Sequence, residues 1–150
     1  MQEIILRSST RINTNDPEWA TNSAGLRFHH SFGAGLIHAA AAVTLAETWV
    51  NRTPSLSPIV STQTNSTTIP SHTTAGITRS FVINSSMRVE HVTMKVSITH
   101  PNRGELVVTL TSPSGMAIQL SEVHGDNNDN YSNWTFSSVR HWGEQSQGTW

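Results

Sequence analysis

The chain has 150 residues, a formal net charge of −1 and charged side chains at only 13% of its positions. This length is typical of one domain, or of one small domain with a remnant of another. A nearly neutral chain without a basic cluster argues against nucleic acid or an anionic membrane as the main partner, and the lack of cysteine excludes disulfides and thiolate metal sites.

Membrane insertion also finds no support in the sequence. No apolar run approaches the roughly 20 residues that a bilayer-spanning helix needs, so we expect no membrane segment in this chain. The first ten residues, MQEIILRSST, lack the basic start and hydrophobic stretch of a signal peptide. We therefore expect either a cytoplasmic protein or a signal that lies upstream.

The first 50 residues predict two helices joined by a loop. Residues 2–9 predict a short helix whose Ile4 and Ile5 face a core. The loop carries the turn signal Asn-Asp-Pro at 15–17 and ends near Gly25. Residues 36–50 predict an alanine-rich helix that packs closely against neighbouring elements.

The character of the chain changes twice after this helix. Residues 51–76 contain three prolines and one charged residue, which predicts an extended linker with an edge strand near 57–62. From residue 77 the hydrophobic period becomes two, as in half-buried strands. The predicted strands are 79–83, 92–98, 106–110, 116–120 and 134–138.

Turn sequences separate these strands. Pro101–Gly104 and Pro113–Gly115 are typical turns, and Gly104 stands where a positive φ would be tolerated. Short strands with turns at this spacing indicate a mainly β fold, an antiparallel sandwich or jelly roll.

No catalytic site is evident. The eight histidines include no H-E-x-x-H motif and no pair with a third ligand at metal-site spacing, so we interpret His29 and His30 as surface or packing residues. There is no G-x-S-x-G nucleophile context. We assign no catalytic residue and no cofactor-binding residue.

One oxygen-rich loop stands out as a candidate metal site. Asp126, Asn128 and Asn130 have the spacing of the first three ligands of a calcium loop, but Tyr131 and Ser137 replace the glycine and glutamate that an EF-hand requires. Asp126 and Asp129 therefore remain weak calcium candidates, and calcium is the one cofactor considered. The alternative is a solvated hairpin loop.

Two further patterns leave alternatives open. Five Asn-x-Ser/Thr sequons are either glycosylation sites or chance matches in a chain rich in these residues. They start at Asn51, Asn65, Asn84, Asn130 and Asn133. Aromatic residues cluster late in the chain, which fits either a packed core or a carbohydrate or peptide groove. They are Tyr131, Trp134, Phe136, Trp142 and Trp150.

The first part of the chain resembles the end of the catalytic domain of kexin- and furin-like proprotein convertases. Residues 21–25 match the T-N-x-A-G loop of that family, and MQEIILRS is similar to the helix that follows its nucleophilic serine. The [Y/F]-G-x-G-x-x-D-A element and its alanine-rich helix are matched at Phe32, Gly33, Gly35, Leu36, Ala39 and Trp49. His38 departs from this pattern, because the family usually has an aspartate there that is suited to capping the helix.

The second part resembles the P (Homo B) domain of the same family. The motifs R-x-E-H, N-R-G-[DE]-L, L-x-S-P-x-G, N-W-x-F, H-W-G-E and G-[ET]-W occur in order. They lie at 88–91, 102–106, 110–115, 133–136, 141–144 and 148–150. Residues 51–76 are the unmatched stretch.

The resemblance implies a fold and a domain organisation. We expect a P-domain jelly-roll β-sandwich preceded by a short helical remnant of an α/β subtilisin-like catalytic domain. The divisions are 1–50 for the remnant, 51–76 for the linker, and 77–150 for a P domain truncated before its last strand.

The resemblance also implies a function. We expect a non-catalytic C-terminal segment of a calcium-dependent serine endopeptidase that processes precursor proteins after paired basic residues. Without the catalytic triad the chain should be inactive alone. Its expected partners are its own catalytic domain and, in the whole enzyme, precursor-protein substrates, with the secretory pathway or the exterior as its location. The alternative is a free-standing jelly-roll binding module without protease activity.

Overall fold

A computed structural model describes residues 1–64, 66–70 and 74–150. The fold is mainly β, as predicted. Over the described residues it has two α-helices, one 3₁₀ turn and eight short strands. They are α1 (Gln2–Ser8), β1 (Ala20–Thr21), β2 (Arg27–Phe28), α2 (Ala39–Glu47), β3 (Val82–Ile83), β4 (Val92–Ile98), the 3₁₀ turn (Arg103–Glu105), β5 (Val108–Thr111), β6 (Ala117–Ser121), β7 (Tyr131–Ser138) and β8 (Gly148–Thr149).

The strands pair in four antiparallel ladders, β1–β2, β3–β8, β4–β7 and β5–β6. The longest ladder joins β4 and β7 and places Met94 opposite Phe136. Ladder β3–β8 pairs Val82 with Thr149, so it brings the two ends of the C-terminal part together.

The hydrophobic core joins the two parts of the chain. Leu26 and Phe28 of the β1–β2 hairpin pack with Trp142, and Leu6 and Ala34 lie against this cluster. The buried ring of Trp142, from residues 77–150, therefore packs against side chains of residues 1–50.

Both predicted helices are present but shorter than predicted. Helix α1 ends at Ser8, and Ile4 is buried as expected. Helix α2 covers 39–47 instead of 36–50. His38 caps it, since its Nδ1 accepts a hydrogen bond from the backbone N–H of Ala41 at 3.0 Å. The imidazole thus takes over the capping role expected of an aspartate.

Several strand limits also differ. Strand β7 begins three residues before the predicted Trp134, and Asn130 and Asn133 adopt left-handed φ values of 51°. Asparagine tolerates this region better than most residues, and the ladder shifts register opposite Asn133, between Val96 and Ile98. The edge strand predicted near 57–62 is absent, and these residues form no strand.

Close packing explains the glycine at position 104, and the positive φ that its turn would tolerate is not used. Its φ is not positive, and it lies in the 3₁₀ turn. A Cβ at this position would overlap the carbonyl oxygens of Asp126 and His124. Glycine is therefore required by the close approach of another backbone segment. Gly115, in the predicted turn before β6, does adopt a positive φ of 88°.

Residues 51–76 contain no helix or strand in the parts that the structure describes, and the sequon at Asn65 lies outside those parts. Among the described residues, no helix is long and apolar enough to cross a bilayer.

Candidate functional site

A buried polar seam joins the N-terminal part of the chain to the C-terminal part. Asn22, only 4% exposed, lies in the turn that connects β1 and β2. Its Nδ2 donates to the carbonyl oxygens of Arg140 at 3.0 Å and Trp142 at 2.9 Å, and its Oδ1 accepts from the N–H groups of Ala24 and Leu26. One amide thus shapes its own turn and holds a segment about 120 positions away.

Glu144 forms the second buried contact of the seam. Its Oε1 accepts from the backbone N–H of Ser23 at 3.0 Å and from the hydroxyl of Ser114 at 2.8 Å. Its Oε2 lies 3.1 Å from Nδ1 of His141. Both side chains of this acid–imidazole pair are almost completely buried. Because the pair is removed from water, its hydrogen bonds carry most of the stabilisation of the carboxylate.

The two members of this pair both have lowered pKa values. Burial lowers the pKa of His141 and outweighs the opposing effect of Glu144. For Glu144, burial alone would raise the pKa, but the hydrogen bonds from Ser23, Ser112 and Ser114 reverse its effect and lower it. The seam therefore favours a neutral imidazole beside an ionised carboxylate.

Close backbone packing completes the seam. Gly143 has a φ of 85°, and a Cβ built there would lie 2.7 Å from the Cβ of Ala24.

In the first turn of α1, Glu3 accepts hydrogen bonds from Arg7, Arg52 and Arg88. Burial raises the pKa of Glu3, but these three guanidinium groups lower it to about 2.

The seam is suited to holding segments together and is not arranged for catalysis. Ser114 contacts the carboxylate of Glu144, whereas a catalytic triad needs the serine beside the imidazole. His141 is 0% exposed, and its Nε2 has no hydrogen-bond partner, so no substrate reaches it in this conformation.

A cluster that sequence reasoning missed surrounds His29. Ligand atoms of Asp16, Glu18 and His29 lie within 4.8 Å of one another, and this is the one such group among the residues that the structure describes. However, Nδ1 of His29 accepts the N–H of Ser31 at 3.0 Å. The neutral ring then carries its proton on Nε2, which lies 3.2 Å from Asp16 Oδ1. Nε2 forms no hydrogen bond of good geometry despite this short distance, and in this tautomer it has no lone pair to offer a metal ion.

The calcium candidates Asp126 and Asp129 are placed differently from each other. Asp126 forms an ion pair with Arg103 at 2.7 Å, and its other oxygen accepts from Asn128. The Asn128 N–H and Arg103 lower the pKa of Asp126 to about 2. Asp129 is exposed and accepts from the amide of its neighbour Asn130. The structure does not bring the two carboxylates into a common cluster of ligands among its described residues.

The late aromatic residues divide into packed and exposed rings. Tyr131 and Trp142 are buried, while Phe136 and Trp150 are half-buried. Trp134 is 44% exposed, and the guanidinium of Arg103 lies 5.2 Å from its ring centroid. Packing therefore accounts for four of the five rings.

Sequence reasoning found the motifs of the seam without their roles. Asn22 stood within T-N-x-A-G and Glu144 within H-W-G-E, but only as marks of resemblance. The sequence does contain a signal for this burial. Glu144 follows the aromatic residues His141 and Trp142 closely, in a segment with few other charged residues. Such an acid is buried only when hydrogen-bond donors surround it.

Known proteins that are similar to this chain belong to the family that its motifs resemble. Residues 89–150 match the family described as the proprotein convertase P-domain. Over its full length the chain is 35% identical to Protease KEX1 of Kluyveromyces lactis, of which it covers 21%, and 35% identical to human proprotein convertase subtilisin/kexin type 7, of which it covers 20%. It is 33% identical to the rat type 5 convertase and covers 9% of it.

A solved structure shares the fold. The serine protease of Aeromonas sobria superposes on 99% of this chain with a TM-score of 0.86, at 21% identity and over 31% of its own chain. The chain thus spans about a fifth or less of the curated relatives named above and about a third of this solved protease chain. Motifs, fold and full-length similarity agree: residues 89–150 match the proprotein convertase P-domain, and the whole chain is similar to the corresponding region of kexin- and furin-like proprotein convertases.

Proposed function

We propose that this chain is the non-catalytic C-terminal segment of a kexin-like, calcium-dependent serine endopeptidase, in which the P domain stabilises the catalytic domain. The whole enzyme would cleave precursor proteins after paired basic residues in the secretory pathway or after secretion. The observation that supports this role most directly is the buried polar seam between residues 1–50 and 77–150.

The energetics of the seam support a stabilising role. If the two parts separated, water would replace the N–H of Ser23 at Glu144 and the two carbonyl acceptors of Asn22. The net contribution of such a hydrogen bond is about 0.5–1.5 kcal/mol, and about 1.5–3 kcal/mol when one partner is charged. Together these bonds contribute a free energy that is substantial beside a typical domain stability of about 5–15 kcal/mol.

A chimera tests this function. Residues 1–150 replace the matching region of Protease KEX1 of Kluyveromyces lactis, and the secreted product is assayed on a peptide with a dibasic site. We expect an active protease whose half-life at elevated temperature falls several-fold with Asn22→Ala, because the seam loses four hydrogen bonds. Asn127→Ala, on an exposed loop outside the seam, is the matched control.

Two results would count against the proposal. One is a folded, secreted chimera that does not cleave the dibasic peptide. The other is an active chimera in which Asn22→Ala and Asn127→Ala have equal half-lives, since the seam would then not stabilise the catalytic domain.

A further inference from the structure

A small cleft, away from the buried Glu144 of the seam, is lined by arginines. It has a volume of about 190 Å³ and lies between the end of α1 and the β1–β2 hairpin. Arg7, Arg11 and Arg27 line it, with Leu6, Ser9, Gly25, Leu26 and Ala34 completing the wall. We propose that this cleft, the arginine cleft, binds a small multivalent oxyanion of the phosphate or sulfate class.

The charge around the cleft supports an anionic ligand. The chain carries a net charge of −1, yet three of its nine basic residues line this one cleft. In the described part of the chain, no carboxylate lies within ion-pair distance of Arg11 or Arg27. Three arginines thus line one cleft, and of the three only Arg7 has an acid within ion-pair distance.

That acid, Glu3, pairs with more than one arginine. Glu3 forms an ion pair with Arg7 at 2.8 Å and also pairs with Arg52 and Arg88. One carboxylate therefore serves three guanidinium groups, which leaves a positive excess beside the cleft. Because this excess is not neutralised within the chain, the site attracts anions.

Two of the arginines are held in place before any ligand binds. The Nε of Arg7 donates to Glu3, so its two terminal nitrogens are left to face the cleft or solvent. The guanidinium of Arg11 lies 5.8 Å from the ring centroid of Trp19, whose Nε1 is fixed by the carbonyl oxygens of Ile12 and Asn13. Preorganised side chains lose less conformational entropy when they bind.

The size of the cleft and its donors define the class of ligand. Pockets for drug-sized ligands are about 300–1,000 Å³, so a smaller cleft suits an isolated oxyanion or a single phosphate group. Guanidinium groups bind oxyanions through paired N–H donors. Three cations favour a doubly charged anion over a singly charged carboxylate or chloride. The source is either a free ion or a small phosphate monoester.

Isothermal titration calorimetry on the 150-residue chain, at constant ionic strength, tests the site with inorganic phosphate, sulfate, acetate and chloride. A second arm uses glycerol phosphate as the monoester. We expect saturable 1:1 binding of phosphate and sulfate and at least tenfold weaker binding of acetate and chloride. Glycerol phosphate should match inorganic phosphate if monoesters are accepted and bind more weakly if the site takes only free ions.

Variants locate the binding. Arg11→Gln and Arg27→Gln should each weaken phosphate binding about tenfold, and Arg27→Lys should have an intermediate effect because it keeps the charge but loses the paired donors. Lys95→Gln removes one positive charge from an exposed position on β4 and should leave the affinity unchanged. Backbone amide resonances of residues 6–11 and 25–34 should shift on titration, which is a readout independent of stability.

The proposal is overturned if acetate or chloride binds as well as phosphate, or if no amide in these two segments shifts. It is also overturned if Lys95→Gln weakens binding as much as Arg27→Gln, since the effect would then reflect net charge alone.

Discussion

Glu144 and Asp126 are both carboxylates with lowered pKa values and backbone N–H donors, yet they occupy opposite environments. Glu144 is 2% exposed and accepts from Ser23, which lies 121 positions away. Asp126 is accessible to solvent and bonds to Asn128, two positions away, and to Arg103, 23 positions away. The same chemical group therefore joins two parts of the chain in one place and shapes a local loop in the other.

Sequence separation and solvent access together explain why Glu144 and Asp126 differ in their contribution to the stability of the fold. Water replaces the partners of Asp126 when they are removed, so its ion pair contributes little to stability. No water replaces the partners of Glu144 without opening the seam. The predictions below test this difference.

The largest expected effect is that of Glu144→Ala. The substitution leaves the N–H of Ser23, the hydroxyl of Ser114 and Nδ1 of His141 without their acceptor. Each buried donor that is left unsatisfied costs about 1–3 kcal/mol, so the substitution should cost several kcal/mol. Urea unfolding followed by tryptophan fluorescence measures the loss.

Asp126→Ala is the comparison for this experiment, because it removes the same charge from the surface. Its unfolding midpoint should stay close to that of the wild-type chain. Equal midpoints for the two variants would show that the seam contributes no more to stability than the loop does.

Acidification should weaken the seam in two steps. The pKa of His141 is lowered in the folded chain, so below about pH 6.5 the unfolded chain binds a proton that the folded chain does not. Stability then falls as pH falls, by at most about 1.4 kcal/mol per pH unit. Glu144, whose pKa is also lowered, adds a second loss below about pH 4.5.

Melting temperatures between pH 7.5 and 5 isolate the first step. His141→Gln should flatten the profile in this range, whereas His91→Gln, at an exposed position, should not. A profile that keeps its slope in His141→Gln would assign the pH dependence to other groups.

A smaller effect is expected at the start of α2. His38 caps this helix through Nδ1, so His38→Ala should destabilise the chain by about 1 kcal/mol. His38→Asp should restore or exceed wild-type stability, because a carboxylate both caps the helix and favours the positive end of its dipole. Thermal melting at pH 7.5 ranks the three chains, and an alanine variant as stable as the aspartate variant would contradict the capping role.

The sequence predicted elements whose signal is local and periodic. The alternation from Val92 to Ile98 predicted β4 to the residue, and the 113–115 turn was correctly placed. The role of His38 as a cap was missed because histidine is rarely used there. The constraint on Gly104 could not be predicted locally, because it comes from Asp126, a residue beyond the next two strands.

The seam could not be predicted from local patterns for the same reason. The burial of Glu144 depends on the N–H of Ser23 and on a hydroxyl in the turn before β6. These donors are contributed by three separate segments. Resemblance placed the motifs in one family, but only the folded arrangement shows which polar side chains meet.

The smallest expected effect concerns calcium at Asp126 and Asp129. Arg103 already neutralises Asp126 through an ion pair at 2.7 Å, and Asn128 takes its other oxygen. A calcium ion would have to displace both contacts and would find Asp129 bonded to Asn130. We therefore expect no binding, or binding no tighter than the roughly 10⁻⁴–10⁻³ M of extracellular calcium modules.

Arg103→Gln separates a poor site from one that the ion pair blocks. Without the guanidinium, the carboxylate of Asp126 keeps its charge and gains free lone pairs, so calcium affinity should increase if the loop geometry suits the ion. Calorimetry on the wild-type chain, Arg103→Gln and Asp126→Ala measures this order. Sub-micromolar binding to the wild-type chain that Asp126→Ala abolishes would show that the loop is a calcium site despite its ion pair. Asp126 would then be a metal ligand, whereas Glu144 is a structural residue.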